Sequence, residues 1–124
     1  MRVADHLAGK PPEIVALYRH VHSVVRRIGP VRVDPQGRGI AFQVRARSIG
    51  VTPRARWLDL TLWLKRAVTH PRVHRVEDYG ALGRILHFRL RSEEDLDAGL
   101  LRLLEEVYAV GAQTAAPVRR RRKA

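Results

Sequence analysis

The side chains able to do chemistry in this 124-residue chain are its six histidines, its twelve carboxylates and its arginines. A metal site needs His and carboxylates at ligand spacing. His20 and His22 stand two apart and point in different directions on a helix. His70 and His74 stand four apart, but Pro71 between them argues against a shared helical face. His6 lies in an unpatterned stretch, and His87 stands alone on a strand. No metal site is expected, and solvated or locally bonded histidines are the plain reading. A hydrolytic carboxylate pair needs two converging acids. Glu77 and Asp78 are adjacent, so on a strand they face opposite sides, and Asp59 suits a cross-strand pair with Arg45, Arg47 or Arg89. Gly37-Arg38-Gly39 and Gly80-Ala81-Leu82-Gly83 are too short for a phosphate-binding loop and suit hairpin turns. Ser23 and Ser48 lack a nucleophile's context, and Ser92 reads as a helix cap. No catalytic residue and no cofactor is therefore expected. A deep cleft in which Asp59, Glu77 or His87 converge would reopen the enzymatic reading.

The sharper signal is a set of side chains sharing one predicted strand face. Alternation at period 2 puts Gln43, Arg45, Arg47, Trp57, Thr61, Trp63, His87 and Arg89 on the side opposite the apolar residues. Indoles can stack with bases while guanidinium groups neutralise phosphates, as in sheet-based readers of single strands. Two other roles suit the same residues. Large side chains shield the backbone of an open sheet, and Trp and Arg are enriched where proteins dock on one another.

The elements that must carry these residues follow from periodicity. Pro11 and Pro12 open a helix whose apolar positions Ile14, Tyr18, Val21, Val25 and Ile28 recur at 4, 3, 4 and 3. Gly29 is expected to supply a left-handed cap and Pro30 to stop the helix. Val31 to Val33 reads as a short strand and Asp34-Pro35-Gln36-Gly37 as a type I turn. Ile40 to Arg47 alternates as a strand, and Ser48 to Arg54, with Gly50 and Pro53, reads as a loop. Leu58, Leu60, Leu62 and Leu64 alternate with Trp57, Asp59, Thr61 and Trp63 in the clearest strand. Val73 to Tyr79 and Ile85 to Leu90 complete the set. Ser92 as N-cap, with Asp95 three residues on, starts a second amphipathic helix that ends near Gly111. The expected fold is α+β in two layers: a four- to five-stranded antiparallel sheet with the N- and C-terminal helices on one face. Residues 1–10 read as a leader, 11–111 as one domain and 112–124 as a disordered basic tail.

Charge bounds the partners. Lys plus Arg is 24 and Asp plus Glu 12, a formal net charge of +12. Residues 1–91 hold 18 bases and six acids; residues 92–111 hold one base, Arg102, and six acids. The tail adds Arg119, Arg120, Arg121, Arg122 and Lys123 with no acid, a run that suits nucleic acid or another anionic surface. Arg outnumbers Lys 21 to 3, which either a GC-rich genome or selection for bidentate anion binding produces. The absence of Cys removes disulfides, thiolate metal sites and Cys nucleophiles. No apolar run approaches the roughly 18 residues of a membrane span, and Met1 to Lys10 has no signal-peptide core. A cytoplasmic protein without a membrane partner is expected.

Three stretches resemble a known bacterial family. They are His70-Pro71-Arg72-Val73-His74-Arg75-Val76-Glu77-Asp78-Tyr79-Gly80, then His87-Phe88-Arg89-Leu90-Arg91-Ser92-Glu93-Glu94-Asp95-Leu96-Asp97, then Glu106-Val107-Tyr108-Ala109-Val110-Gly111. With the Pro-initiated helix, they make the chain similar to the family called domain of unknown function 5655 over roughly residues 11–111. The resemblance implies a compact α+β domain without an agreed activity, and it transfers no site residue. The leading expectation is a non-enzymatic module binding a polyanion, nucleic acid first, through Arg45, Arg47, Arg89, Trp57 and Trp63 with help from the tail. The alternative is a protein-docking or self-associating module, such as a homodimer, using the same face. An enzyme is the third reading.

Overall fold

A computed structural model describes residues 2–44 and 47–113. The elements run α1 (Val3–Leu7), α2 (Pro12–Ile28), β1 (Arg32–Pro35), β2 (Ile40–Gln43), β3 (Arg47–Pro53), β4 (Leu58–Leu64), β5 (Val73–Asp78), β6 (Arg84–Leu90) and α3 (Ala98–Gln113), with short 3₁₀ turns at Gly80–Leu82 and Glu93–Asp95. One antiparallel sheet has the order β1-β2-β3-β4-β6-β5. All three helices lie on the same side of it. Leu17, Tyr18, Val21 and Val25 of α2 and Leu100, Leu103, Leu104 and Val107 of α3 form one core with Leu58, Leu60, Leu62, Leu64, Leu86, Phe88 and Leu90. No helix among the described residues is long and apolar enough to cross a membrane.

The α+β class and the one-sided helices hold, but the sheet has six strands rather than four or five. The additional strand is β3, in the stretch where Gly50 and Pro53 suggest a loop. Both fit a strand for local reasons. Gly50 pairs with Thr61, whose Oγ1 would collide with a Cβ at that position. Pro53 is the last residue of its strand, so the N–H it lacks weakens no interior rung. β2 is shorter than expected, ending at Gln43 beside a register shift.

Other boundaries differ too. β1 runs through Pro35, and the reversal is at Gln36–Gly39, which exchange both backbone N–H···O bonds (2.7 and 3.3 Å). The expected leader contains α1, whose Val3 and Leu7 pack against the core. His6 Nε2 meets Gln36 O at 2.6 Å and ties α1 to the first hairpin. Gly29 is extended (φ 173°, ψ −178°), not left-handed. Its missing side chain matters because a Cβ there would collide with the Tyr108 hydroxyl, which donates to Pro30 O (2.6 Å) and ties α3 to the end of α2.

The last helix starts later than the Ser92 cap suggests. Asp95 Oδ2 accepts from the Arg91 and Ser92 N–H groups (2.7 and 3.3 Å), but this closes only a 3₁₀ turn. α3 begins at Ala98, where Asp97 Oδ1 accepts the Leu100 N–H at 2.9 Å. That bond holds the Asp97 carboxyl below its ordinary range despite partial desolvation, and His70 and Arg72 act in the same direction. Because the folded-state value is depressed, the contribution is complete above the unfolded-state pKa and disappears as pH falls through the folded one. Asp97→Ala is expected to cost about 1 kcal/mol in urea unfolding at neutral pH. The loss should shrink in acid, and Asp97→Asn should recover most of it.

Candidate anion-binding cleft on the open sheet face

The face turned away from the helices is built by odd-numbered residues of β4 and β6. Asp59 pairs with Arg89, Thr61 with His87 and Trp63 with Ile85, while the alternate residues Leu58, Leu60, Leu62 and Leu64 are at most 1% exposed. Trp57 and Arg91 extend the same face past the ends of the strands, each one residue beyond the Leu58–Leu90 pair. β5 adds Arg75, paired with His87, and Glu77, paired with Ile85. A register shift between Val73 and Arg75 leaves His74 as the extra residue of a bulge.

Arg54, Trp57, Asp59, His74, Arg75, His87 and Arg89 line one cleft on this face. Asp59 organises one end. Its Oδ1 accepts the Trp57 indole N–H and its Oδ2 the Arg54 Nε–H, both at 2.8 Å. With the indole held, the Arg89 guanidinium lies 4.3 Å from its ring centroid and that of Arg91 5.7 Å, a cation–π arrangement. Arg89 Nε is buried and has no hydrogen-bond partner among the described residues. Glu77 organises the other end. Oε2 meets His87 Nε2 at 2.5 Å, while Oε1 accepts the Tyr79 hydroxyl at 3.1 Å and lies 3.3 Å from Arg75. The His87 bond, then the Tyr79 bond, holds the Glu77 carboxyl below its ordinary range, and the same carboxylate raises Tyr79. Four guanidinium groups (Arg54, Arg75, Arg89, Arg91) thus stand with two carboxylates (Asp59, Glu77) and two imidazoles (His74, His87).

The expected site residues separate into groups. Trp57, His87 and Arg89 share the cleft. Trp63 lies at the far end of β4, its ring stacked on Tyr79 (centroids 6.0 Å apart, planes at 30°), beside a shallow apolar trough with Gly50, Thr61 and Ile85. The two indoles therefore do not make one platform, and each already has a partner on one face. Gln43 donates to Asp34 Oδ2 (3.1 Å), away from the cleft. Arg47 pairs through its backbone with Gln43, and its side chain lies outside the described part. Arg45 and the tail residues Arg119, Arg120, Arg121, Arg122 and Lys123 lie outside the described residues.

Sequence reading missed Arg54, Arg75, Arg91, His74 and the linkage of Glu77 to His87. Arg91 was accessible, since it continues the odd-numbered series from His87 and Arg89. Arg54 was not, because it reaches Asp59 from beyond the end of β3, and the His74 bulge disturbs the period of β5. A second basic surface, also missed, lies on the solvent side of α2 with Arg19, His22, Arg26 and Arg27. Desolvation, then Arg26, lowers the His22 pKa. Among the described residues no group of three or more His, Cys, Asp or Glu is placed to hold a metal ion. His70 is employed structurally: Nδ1 accepts the Arg72 N–H (3.0 Å), Nε2 lies 3.6 Å from Asp97, and the ring meets Phe88 edge-on.

Gly83 has φ +119°, and a Cβ there would lie 2.9 Å from Leu64 O and 3.1 Å from the Trp63 ring. Gly83→Ala is expected to cost about 1–3 kcal/mol in urea unfolding and to alter tryptophan emission by displacing Trp63. Glu77 stabilises the fold above its unfolded-state pKa, and that contribution is lost as pH falls through its lower folded-state value. Glu77→Gln should therefore make acid unfolding less steep, by uptake of about one proton fewer.

No curated protein and no solved structure matches the chain. The sequence profile of one family, Domain of unknown function (DUF5655), matches residues 3–111. Because that match takes in nearly all of the helices and strands described above, the chain belongs to the DUF5655 family.

Proposed function

We propose that this domain is a binding module for a polyanion, nucleic acid first, with the open-face cleft as its contact surface. One observation carries the reading: the Arg89 guanidinium is oriented by Trp57, flanked by Arg54 and Arg75, and keeps a buried Nε without a partner among the described residues. Guanidinium groups match phosphate through paired N–H···O bonds. Asp59 and Glu77 keep the basic side chains in place at low ligand concentration, and the positive excess favours an anion over water.

A second reading has its own observation. Val76, Tyr79 and Leu82 are 46%, 48% and 73% exposed at the free edge strand β5 and its hairpin, and an unpaired apolar edge is a place where chains associate. Ionic strength separates the readings, because apolar association persists in salt and phosphate binding does not.

The test is anisotropy of a labelled single-stranded oligonucleotide across a salt series. Log K should fall linearly with log salt, and Arg54→Ala, Arg75→Ala and Arg89→Ala together should flatten the slope by about 0.7 for each phosphate no longer neutralised. Arg19→Ala, Arg26→Ala and Arg27→Ala together should leave it unchanged. The reverse pattern would move the interface to α2, and the absence of binding at low salt would refute the proposal.

A further inference from the structure

The cleft that offers guanidinium groups to an anion also contains a histidine held by a carboxylate. His70 shows what a histidine used only by the fold looks like: both ring nitrogens are engaged within the chain and the side chain is 10% exposed. His87 differs. Glu77 takes Nε2, the ring lines the open cleft, and Nδ1 is the nitrogen left for a ligand. Glu77 is itself fixed by Tyr79 and Arg75. A base oriented by a third group, beside cations positioned for developing negative charge, is the arrangement that acyl- and phosphoryl-transfer sites share. The charged and titratable groups around it are His74, Arg75 and Glu77 from β5 with Tyr79 just beyond it, Arg54 from the connection after β3, Asp59 from β4, and Arg89 from β6.

We infer that the cleft cleaves single-stranded RNA by internal transesterification, with His87 as general base, Glu77 as its positioning residue and Arg89 holding the phosphate. The inference rests on the polyanion reading and specifies its substrate. RNA is selected because its 2′-hydroxyl is a nucleophile carried by the substrate, so no co-reactant is required. His87 Nδ1 takes the 2′-hydroxyl proton, the 2′-oxygen bonds to phosphorus, and the bond from phosphorus to the 5′-oxygen breaks. The leaving 5′-oxygen takes a proton from the ring of His74, which lines the same cleft. The products are a 2′,3′-cyclic phosphate and a 5′-hydroxyl end, and the two histidines exchange protons with water between turnovers. Charge gathers on the non-bridging oxygens as the 2′-oxygen attacks, and Arg89, already oriented by Trp57, meets it without reorganisation.

The experiment incubates the full chain at low salt with labelled single-stranded RNA and with DNA of the same sequence. Binding is followed by anisotropy and the ends of the products by mass spectrometry. The expected result is RNA cut to cyclic-phosphate and 5′-hydroxyl ends, with DNA bound and intact. His87→Gln should lower the single-turnover cleavage rate of bound RNA about 10²- to 10⁴-fold, with anisotropy giving the bound fraction separately. Glu77→Gln, which keeps the imidazole but also loosens Arg75, should lower kcat by a larger factor than it raises KM; this variant decides the matter if thermal melting shows His87→Gln to be unfolded. RNA bound but uncut by the native chain overturns the catalytic inference and leaves the binding reading standing. Cleavage that persists in a folded His87→Gln protein, or DNA cut alongside RNA, also overturns it. Absence of both binding and cleavage removes both proposals.

Discussion

The alternation of β4 against β6 decides which side chains are buried under the helices and which stay on the open face. Leu58, Leu60, Leu62 and Leu64 are buried under α2 and α3 together with Leu86, Phe88 and Leu90. Each such side chain is worth about 1.5–3 kcal/mol of burial. A slip of one residue would turn all four β4 leucines to water and put Asp59 into the core. A cation–π contact such as Arg89 on Trp57 contributes about 0.5–1 kcal/mol when exposed. The leucines therefore decide which face is which, and the polar residues take the side that remains.

The face left over is ordered by two short networks. In one, Asp59 holds Trp57 and Arg54, and Trp57 supports Arg89. In the other, Glu77 gathers His87, Tyr79 and Arg75, and Tyr79 stacks on Trp63. Individually exposed ion pairs contribute little to stability. Their effect is positional, because each carboxylate restricts the rotamers of long side chains that would otherwise wander in solvent. Under the binding reading proposed above, a ligand would meet groups already oriented, which lowers the entropy lost on binding.

Much of the fold was legible. The Leu58–Leu64 alternation, the spacing of Ile14, Tyr18, Val21 and Val25, and the one-sided packing of the helices followed from period alone. β3 was not legible, because Gly50 and Pro53 are local breakers and the pairing that overrides them comes from β2 and β4. The start of α3 was misplaced because Ser92 and Asp95 have the spacing of a capping box, while Asp97, two residues on, caps the helix. Within the site, Trp57, His87 and Arg89 were legible as neighbours on one face, since two of them are two apart on β6 and Trp57 belongs to the odd-numbered series of β4.

The chain on its own determined the two faces of the sheet and the basic character of the uncovered one, because both follow from residue type repeated at a fixed period. Tertiary structure decided which of those residues meet. The register of the β5–β6 hairpin brings Glu77 to His87, ten residues away. The end of β3 brings Arg54 to Asp59, and the full length of β4 holds Trp57 and Trp63 apart. Periodicity specifies the direction of a side chain, while strand order and register specify its neighbours, and the second kind of information arises only when the strands pair.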